Sequence, residues 1–176
     1  MSPILPVVLF PIATLIHYCS LRAEARTHWY TRHFGVSGFW IHASITGLFW
    51  VLFSVSASSF MVTARDIILF SPSIFIKQLS TAITVLGIAL VAISFFQLGF
   101  RRTWGIRFFP SSHSKPPFLS SCLYRYLQNP MYDGCFLIFL GTAMHNGSLT
   151  YLVLATESAL LLNWLLARFE NTPSTA

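Results

Sequence analysis

The sequence predicts an all-α integral membrane protein, a polytopic bundle of three spans followed by a C-terminal helical hairpin. Of the 176 residues, 55% are hydrophobic and only 9% are charged, and a soluble domain of this size could not bury so much apolar surface in one core. The apolar residues form long runs separated by short polar and basic segments, as expected of helices that cross about 30 Å of hydrocarbon. We expect residues 1–176 to form a single membrane-embedded domain.

Two spans are predicted in the first third of the chain. The first apolar run covers residues 3–21 and lacks the basic n-region and the small-residue cleavage site of a signal peptide, so it is predicted to be a retained helix. A basic, aromatic loop covers 22–35, and a second apolar run covers 39–62. Both runs are long enough to cross a bilayer at about 1.5 Å per residue.

The remaining chain predicts one further span and the hairpin. Residues 65–78 are of mixed polarity and are predicted to lie along the membrane interface, whereas 79–100 form a clean apolar span. The connection 101–130 is rich in proline and serine, which predicts a loop. The last apolar stretch, 134–168, is too long for one ordinary span and has a polar break at 145–148. We interpret it as a helical hairpin, with a single tilted span as the alternative.

The distribution of Lys and Arg favours this layout and predicts its orientation. With three spans and a hairpin, only Arg65 and Lys77 of the 11 basic residues fall on one side of the membrane. The others share the opposite side: Arg22, Arg26, Arg32, Arg101, Arg102, Arg107, Lys115, Arg125 and Arg168. The positive-inside rule makes that side cytosolic. A single tilted span at the C-terminus would move Arg168 to the other side, so the charge count favours the hairpin only slightly.

Charge and cysteine content narrow the range of partners. The net charge of +6 and the pI near 9.7 indicate membrane orientation rather than nucleic-acid binding, because the basic residues lie in short loops between apolar runs. Cys19, Cys122 and Cys135 are odd in number and lack metal-ligand spacing. We therefore expect neither a disulfide framework, nor a metal site, nor a nucleic-acid partner.

The most distinctive local pattern is Q-N-P-M-Y-D-G at residues 128–134, where a polar loop meets an apolar helix. Pro130 suits the first position of a helix, the amides of the following turn point toward any negative group, and Gly134 lets a ligand approach the backbone. On residue types alone, an ordinary capped helix start with Tyr132 in the interfacial aromatic belt is the better explanation.

Together with other motifs, this pattern resembles the signature of the phosphatidylethanolamine N-methyltransferase family, itself similar to the isoprenylcysteine carboxyl methyltransferases. The family's N-P-M-Y-x-G is present, and S-F-F-Q-L-G-F at 94–100 matches its S-F-F-x-L-G-F. L-G-T-A-M-H at 140–145 matches the small-residue turn, and R-x-E-x-x-T at 22–27 with R-x-F-G at 32–35 matches the first loop. The resemblance covers residues 21–171 in the family's order and at nearly its spacing.

The resemblance implies S-adenosylmethionine as methyl donor, bound where the third span, the N-P-M-Y loop and the end of the hairpin converge. The implied donor-binding residues are Val85, Leu86, Gly87, Asn129, Tyr132, Gly134, Glu170 and Asn171. The family's G-x-G on the third span corresponds to Val85-Leu86-Gly87, which keeps only the second glycine. Its Glu-Glu pair corresponds to Glu170 and Asn171, which keep one acid.

Other features of these positions can be explained without a ligand. A lone glycine in a membrane helix, such as Gly87, more often serves close helix packing. Glu170 is explained equally well as a solvated helix end. The family's G-D-Y-F-G segment is replaced by W-G-I-R-F-F at 104–109. Within the predicted spans, Glu157 and His42 are interpreted as groups bonded to a neighbouring helix, since an ionisable residue at that depth usually has a partner.

The resemblance implies methyl transfer to the amine of phosphatidylethanolamine or its mono- and dimethyl forms, towards phosphatidylcholine. Such a reaction depends mainly on positioning, and it needs an acceptor for the proton of an amine whose reference pKa is about 10. Asp133, or Glu170 through a water, is the predicted acceptor. The implied location is the endoplasmic reticulum, with its mitochondria-associated part as an alternative, and the active site faces the cytosol.

Two alternatives remain open. The acceptor could be another membrane molecule such as an isoprenylcysteine carboxylate, although N-P-M-Y and S-F-F-x-L-G-F favour the phospholipid branch over the R-H-P-x-Y form of the carboxyl enzymes. The chain could instead be a non-catalytic membrane scaffold or a small transporter. Saturable binding of S-adenosylmethionine would separate an enzyme from both.

Overall fold

The computed structural model describes residues 4–63, 66–109, 122–166 and 169, and within these ranges the chain is helical apart from its connections. An isolated bridge between Ile68 and Ser148 is the only strand-like pairing in the described part. Four helices are long and apolar enough to cross a membrane: Ile4–Thr27, Trp29–Phe60, Ile74–Phe108 and Leu149–Leu166. The predicted fold class, a polytopic helical membrane protein, is confirmed.

Six α-helices follow one another within the described ranges. They are α1 (Ile4–Thr27), α2 (Trp29–Phe34), α3 (Gly38–Thr63), α4 (Ile74–Thr103), α5 (Pro130–Asn146) and α6 (Leu149–Ser158). Short 3-10 turns occur at Gly35–Ser37, Ile106–Phe108 and Cys122–Arg125, and α6 continues as a π-helical segment, Ala159–Leu166.

Two expectations about the connections are corrected. Residues 74–78, expected along the interface, belong to α4, because the Ser73 hydroxyl accepts a hydrogen bond from the Ile76 N–H (3.3 Å) and starts the helix there. The predicted loop 22–35 contains the end of α1 and all of α2. Both errors arise because a helix start depends on individual hydrogen bonds that an average hydropathy does not detect.

A buried acid organises the corner between α1 and α2. Glu24 is fully buried, and its carboxylate accepts hydrogen bonds from the N–H groups of Tyr30 (2.8 Å) and Thr31 (3.3 Å) and from the Thr31 hydroxyl (2.5 Å). These amides belong to the first turn of α2, where a negative charge is favourable. The acid of the R-x-E-x-x-T motif therefore has a clear structural role.

The C-terminal hairpin is confirmed, and the single tilted span is wrong. Gly147 and Ser148 reverse the chain between α5 and α6, with Gly147 at φ 64° and the Ser148 hydroxyl accepting from the Tyr151 N–H (3.2 Å). At the far end of the hairpin, the Phe169 ring packs on Tyr18 (5.3 Å) and Phe108 (5.2 Å). The chain thus returns to the side on which α1 and α4 end.

The bundle has two distinct ends, which we name for their contents. The hairpin-turn end comprises residues 66–73 with the turn 147–148, joined by the bridge between Ile68 and Ser148. The motif end is where α3 and α5 begin and α4 finishes, and there the rings of Trp40 and Phe100 stack (6.2 Å). Gly99 has a φ of 70°, which breaks the regular helical geometry of α4. The segment after Gly99 crosses towards α3 at this end.

Helices α4 and α5 pack backbone to backbone. A Cβ on Gly87 would lie 2.7 Å from the Gly134 carbonyl oxygen, one on Gly134 would lie 2.7 Å from the Gly87 oxygen, and one on Gly141 would lie 2.8 Å from the Ser80 oxygen. The buried residues of α4, Ser80, Gly87 and Ser94, are seven apart and share one face. We call this contact line the α4–α5 seam. Small residues permit such close approach in membrane helices.

Aromatic side chains hold the other helices around α5. Phe10 of α1 contacts Phe53 of α3 (5.1 Å) and Phe139 of α5 (5.5 Å) in edge-to-face geometry. This cluster extends along the bundle to Tyr151 and Leu166 of the hairpin. It fixes α5 between α4 on one side and α1 and α3 on the other.

Candidate active site

Asn129 occupies the N-cap position of α5 but does not cap the helix with its side chain. Its carbonyl oxygen accepts from the N–H groups of Tyr132 (2.9 Å) and Asp133 (3.1 Å), and Pro130 is the first helical residue. The side chain makes no cap hydrogen bond, and its buried Nδ2 has no partner. An asparagine at this position normally bonds to the first turn. The expectation of an ordinary capped helix start is therefore wrong for Asn129.

The two residues that follow the proline differ in their surroundings. Tyr132 is buried in the core that includes Phe10 and Leu166, so its expected place in the interfacial aromatic belt is wrong. Asp133 is partly buried in the first turn of α5. A carboxylate in that turn is stabilised by the positive end of the helix dipole.

The residues that correspond to the family's G-x-G face in different directions. Gly87 lies in the α4–α5 seam against Gly134 and Ile138, whereas the side chains of Val85 and Leu86 are 59% and 54% exposed and point away from the bundle. Close helix packing thus accounts for Gly87 and Gly134. Contact of any of these residues with a methyl donor stays a prediction.

Glu170 and Asn171 lie outside the described residues, as do Arg65, Lys115 and Arg168. The nearest described neighbour is Phe169, which stacks on Phe108 just beyond the end of α4. The chain therefore reaches the motif end one residue before Glu170. Convergence of Glu170 with the start of α5 stays a prediction.

Several buried polar atoms of the described ranges have no hydrogen-bond partner. They are His17 Nδ1, His42 Nε2, Ser56 Oγ, Ser94 Oγ, Gln97 Oε1, Asn129 Nδ2 and Glu157 Oε2. Away from water such atoms cost free energy unless something satisfies them. The Oε2 atom of Glu157 lacks the neighbouring-helix bond that we expected. Ser94 and Gln97, the only polar side chains of S-F-F-Q-L-G-F, form a polar strip on the third span, but they were not predicted as site residues.

A second polar cluster joins α1 to α3 at the motif end. The Ser20 hydroxyl donates to the Tyr30 hydroxyl (2.7 Å) and lies 2.6 Å from His42 Nδ1, which confirms that His42 bonds to a neighbouring helix. The His17 and His42 rings are 5.3 Å apart, and the Trp104 ring lies edge-on to His17 (6.0 Å). The spacing of His17 and Ser20 on one face of α1 was the signal that could have revealed this cluster.

Comparison with known families identifies the segment that carries the seam and the N-P-M-Y loop. The model of the phospholipid methyltransferase family matches residues 76–174, more than half of the chain. The chain belongs to the phospholipid methyltransferase family. No curated protein and no solved structure matches it significantly.

Membership in the phospholipid methyltransferase family confirms the resemblance and supports methyl transfer as the general activity. The match begins near the start of α4 and includes α5 and α6, while α1 to α3 lie outside it. Among the described residues, no group of three or more His, Cys, Asp or Glu side chains could hold a metal ion.

Proposed function

We propose that this phospholipid methyltransferase transfers a methyl group from S-adenosylmethionine to the amine of phosphatidylethanolamine or of its mono- or dimethyl forms, towards phosphatidylcholine. One observation carries the proposal: the family match covers a helix start at which the Asn129 side chain does not cap the helix and has a buried amide nitrogen without a partner. A polar side chain with no internal partner is available to a ligand.

The residues at the motif end fit the donor. Ser94, Gln97 and Asn129 provide unpartnered hydroxyl and amide groups at the mouth of the α4–α5 seam. Glu170 and Asn171 follow Phe169, which packs at the same end, and an acid there would pair with the donor's ammonium or ribose hydroxyls. Tyr132 and Gly134 would line the inner side. The bound donor supplies a methyl group already activated on a sulfonium.

Asp133 is the proposed proton acceptor. A lipid amine attacks only when neutral, so a nearby carboxylate must take its proton, and Asp133 lies one turn from Asn129 at the start of α5. Glu170, acting through a water, is the second candidate. The remaining contribution of the protein is to align the amine with the methyl group and to exclude water.

The basic residues of the motif end would hold the lipid phosphate. Arg101 and Arg102 end α4, and Arg125 precedes the N-P-M-Y loop, so anionic lipid headgroups are attracted to this face. The excess of positive residues supports a cytosolic position for this face. Within this proposal the membrane is the endoplasmic reticulum, with its mitochondria-associated part as an alternative.

Labelled donor added to membranes that contain the protein tests the proposal. We expect label in mono-, di- or trimethylated ethanolamine lipids, and the product identifies the step. Matched membranes without the protein are the control. Label in an isoprenylcysteine peptide and not in lipid would assign the other acceptor. Absence of both label and saturable donor binding would indicate a non-catalytic scaffold or a transporter.

A further inference from the structure

By the register of the α4–α5 seam, three of the unpartnered polar atoms fall at about the same level of the bundle. The α4–α5 seam runs through Ser80, Gly87 and Ser94 on α4, each seven residues from the next. On the antiparallel α5, Gly141 faces Ser80 and Gly134 faces Gly87. A further step of seven residues along α4, from Gly87 to Ser94, therefore brings Ser94 opposite the residues that precede α5.

Asn129 and Gln97 complete this level. Asn129 immediately precedes Pro130 at the start of α5, and Gln97 lies three residues beyond Ser94, on the same side of α4. Ser94 is 0% exposed, and Ser94 Oγ, Gln97 Oε1 and Asn129 Nδ2 are all buried without a hydrogen-bond partner. We call these three side chains the neutral recess.

The chemistry of the neutral recess selects the kind of group it can bind. Gln97 and Asn129 each present an amide with an acceptor and a donor, whichever way the amide is turned, and Ser94 can act as either. None of the three is charged, so nothing in the recess offsets the charge of a carboxylate, a phosphate or an ammonium group. It matches a neutral group that offers a donor beside an acceptor.

We propose that the neutral recess binds the adenine base of the methyl donor. Adenine presents its exocyclic 6-amino group as a donor next to the ring nitrogen N7 as an acceptor. One asparagine or glutamine amide can form hydrogen bonds with both groups at once. This inference rests on the proposed function, because it assigns a subsite of the same donor. The ammonium group of the donor is then left to Glu170, as in the proposed function.

Binding of two product analogues tests the assignment. S-adenosylhomocysteine presents the 6-amino donor beside the N7 acceptor, whereas S-inosylhomocysteine presents a 6-oxo group beside N7, two acceptors that one amide cannot pair with in either orientation. For the wild-type protein in micelles, we expect the adenosyl compound to bind at least about tenfold more tightly. Equal affinities would overturn the inference but leave the proposed function intact. Saturable binding of neither compound would instead refute the proposed donor, and the inference with it.

Two variants test whether the neutral recess causes the preference for the adenosyl compound over the inosyl compound. Gln97→Leu removes one amide, so we expect the adenosyl compound to bind more weakly. The ratio of the affinities for the two analogues should then approach one. Phe96→Leu is the matched control, because Phe96 is adjacent in sequence but 84% exposed, and it should leave both affinities unchanged. A Gln97→Leu protein that keeps the full wild-type preference would overturn the role of Gln97. Should that variant not fold, the wild-type comparison of the two analogues still decides.

Discussion

The two ends of the bundle differ in whether their buried polar groups have hydrogen-bond partners. At the hairpin-turn end, the hydroxyls of Ser148 and Thr150 both donate to the Asp66 carboxylate. The backbone is paired there as well, with Leu69 N–H donating to the Gly147 carbonyl (2.7 Å) and Leu149 N–H donating to the Ile67 carbonyl (3.1 Å). This end is held closed by its own hydrogen bonds.

At the motif end, buried polar atoms of the described residues remain unpartnered. These are His17 Nδ1, His42 Nε2, Ser94 Oγ, Gln97 Oε1 and Asn129 Nδ2. Water does not reach the core of a bilayer, so buried polar groups there need hydrogen-bond partners within the protein or from a ligand. The contrast teaches that polar residues at the hairpin-turn end stabilise the fold, while the unpartnered polar atoms at the motif end are available to a ligand. Substitutions at the two ends should therefore separate stability from activity.

The largest expected effect is on turnover at the motif end. Replacing Asp133 by Asn together with Glu170 by Gln removes both proposed proton acceptors, and we expect methyl transfer to fall about 10²- to 10⁴-fold. The unfolding temperature in micelles should change little. Turnover per folded molecule is the measurement. A folded double variant with full activity would remove both residues from the mechanism.

The seam between the two ends should be intolerant of added volume. Gly87→Ala places a Cβ 2.7 Å from the Gly134 carbonyl oxygen and 2.8 Å from the Ile138 nitrogen, so the helices must separate at a cost of about 1–3 kcal/mol. Denaturant unfolding in mixed micelles measures this loss. Gly47→Ala is the control, since its Cβ would meet the Trp104 ring at an ordinary 3.6 Å. Unchanged stability with weakened donor binding would instead favour a donor contact for Gly87.

Breaking the closed end should cost stability without affecting chemistry. Asp66→Ala leaves the hydroxyls of Ser148 and Thr150 without their acceptor, and we expect a loss of about 1–3 kcal/mol. Turnover of the remaining folded protein should match the wild type. Ser71→Ala, an exposed position in the same segment, is the control. A strong loss of turnover by folded Asp66→Ala would show that the two ends are coupled.

The smallest expected change in stability is at Asn129. Its side chain does not cap α5, so Asn129→Ala should alter the free energy of unfolding by less than about 0.5 kcal/mol, while donor binding weakens. The comparison is Ser73→Ala, which removes a real cap from α4 and should cost about 0.5–2 kcal/mol. If Asn129→Ala is as destabilising as Ser73→Ala, the side chain is structural after all.

The sequence predicted the spans and the hairpin well but not the details of the helix starts. Apolar runs and a polar break at 145–148 were sufficient for the layout, because membrane crossing depends on hydropathy summed over about 20 residues. The start of α4 at Ile74 and the presence of α2 were missed, since they depend on Ser73 and Glu24 as partners for particular amides.

The candidate site shows the same difference between what the sequence predicts and what only the packing of the helices determines. The N-P-M-Y and S-F-F-x-L-G-F motifs were sufficient to predict the family, and the family match confirmed it. They did not reveal that Gly87 faces Gly134, or that the Asn129 side chain does not cap α5. Contacts of this kind depend on how each helix is rotated about its axis, which local sequence does not specify.

The amino-acid sequence by itself determined that this chain is a polytopic helical membrane protein and which family it resembles, because hydropathy, charge and short motifs are properties of contiguous residues. Only the tertiary structure decided which polar groups find partners. That outcome depends on residues such as Asp66 and Ser148, which are distant along the chain and meet only when the helices pack.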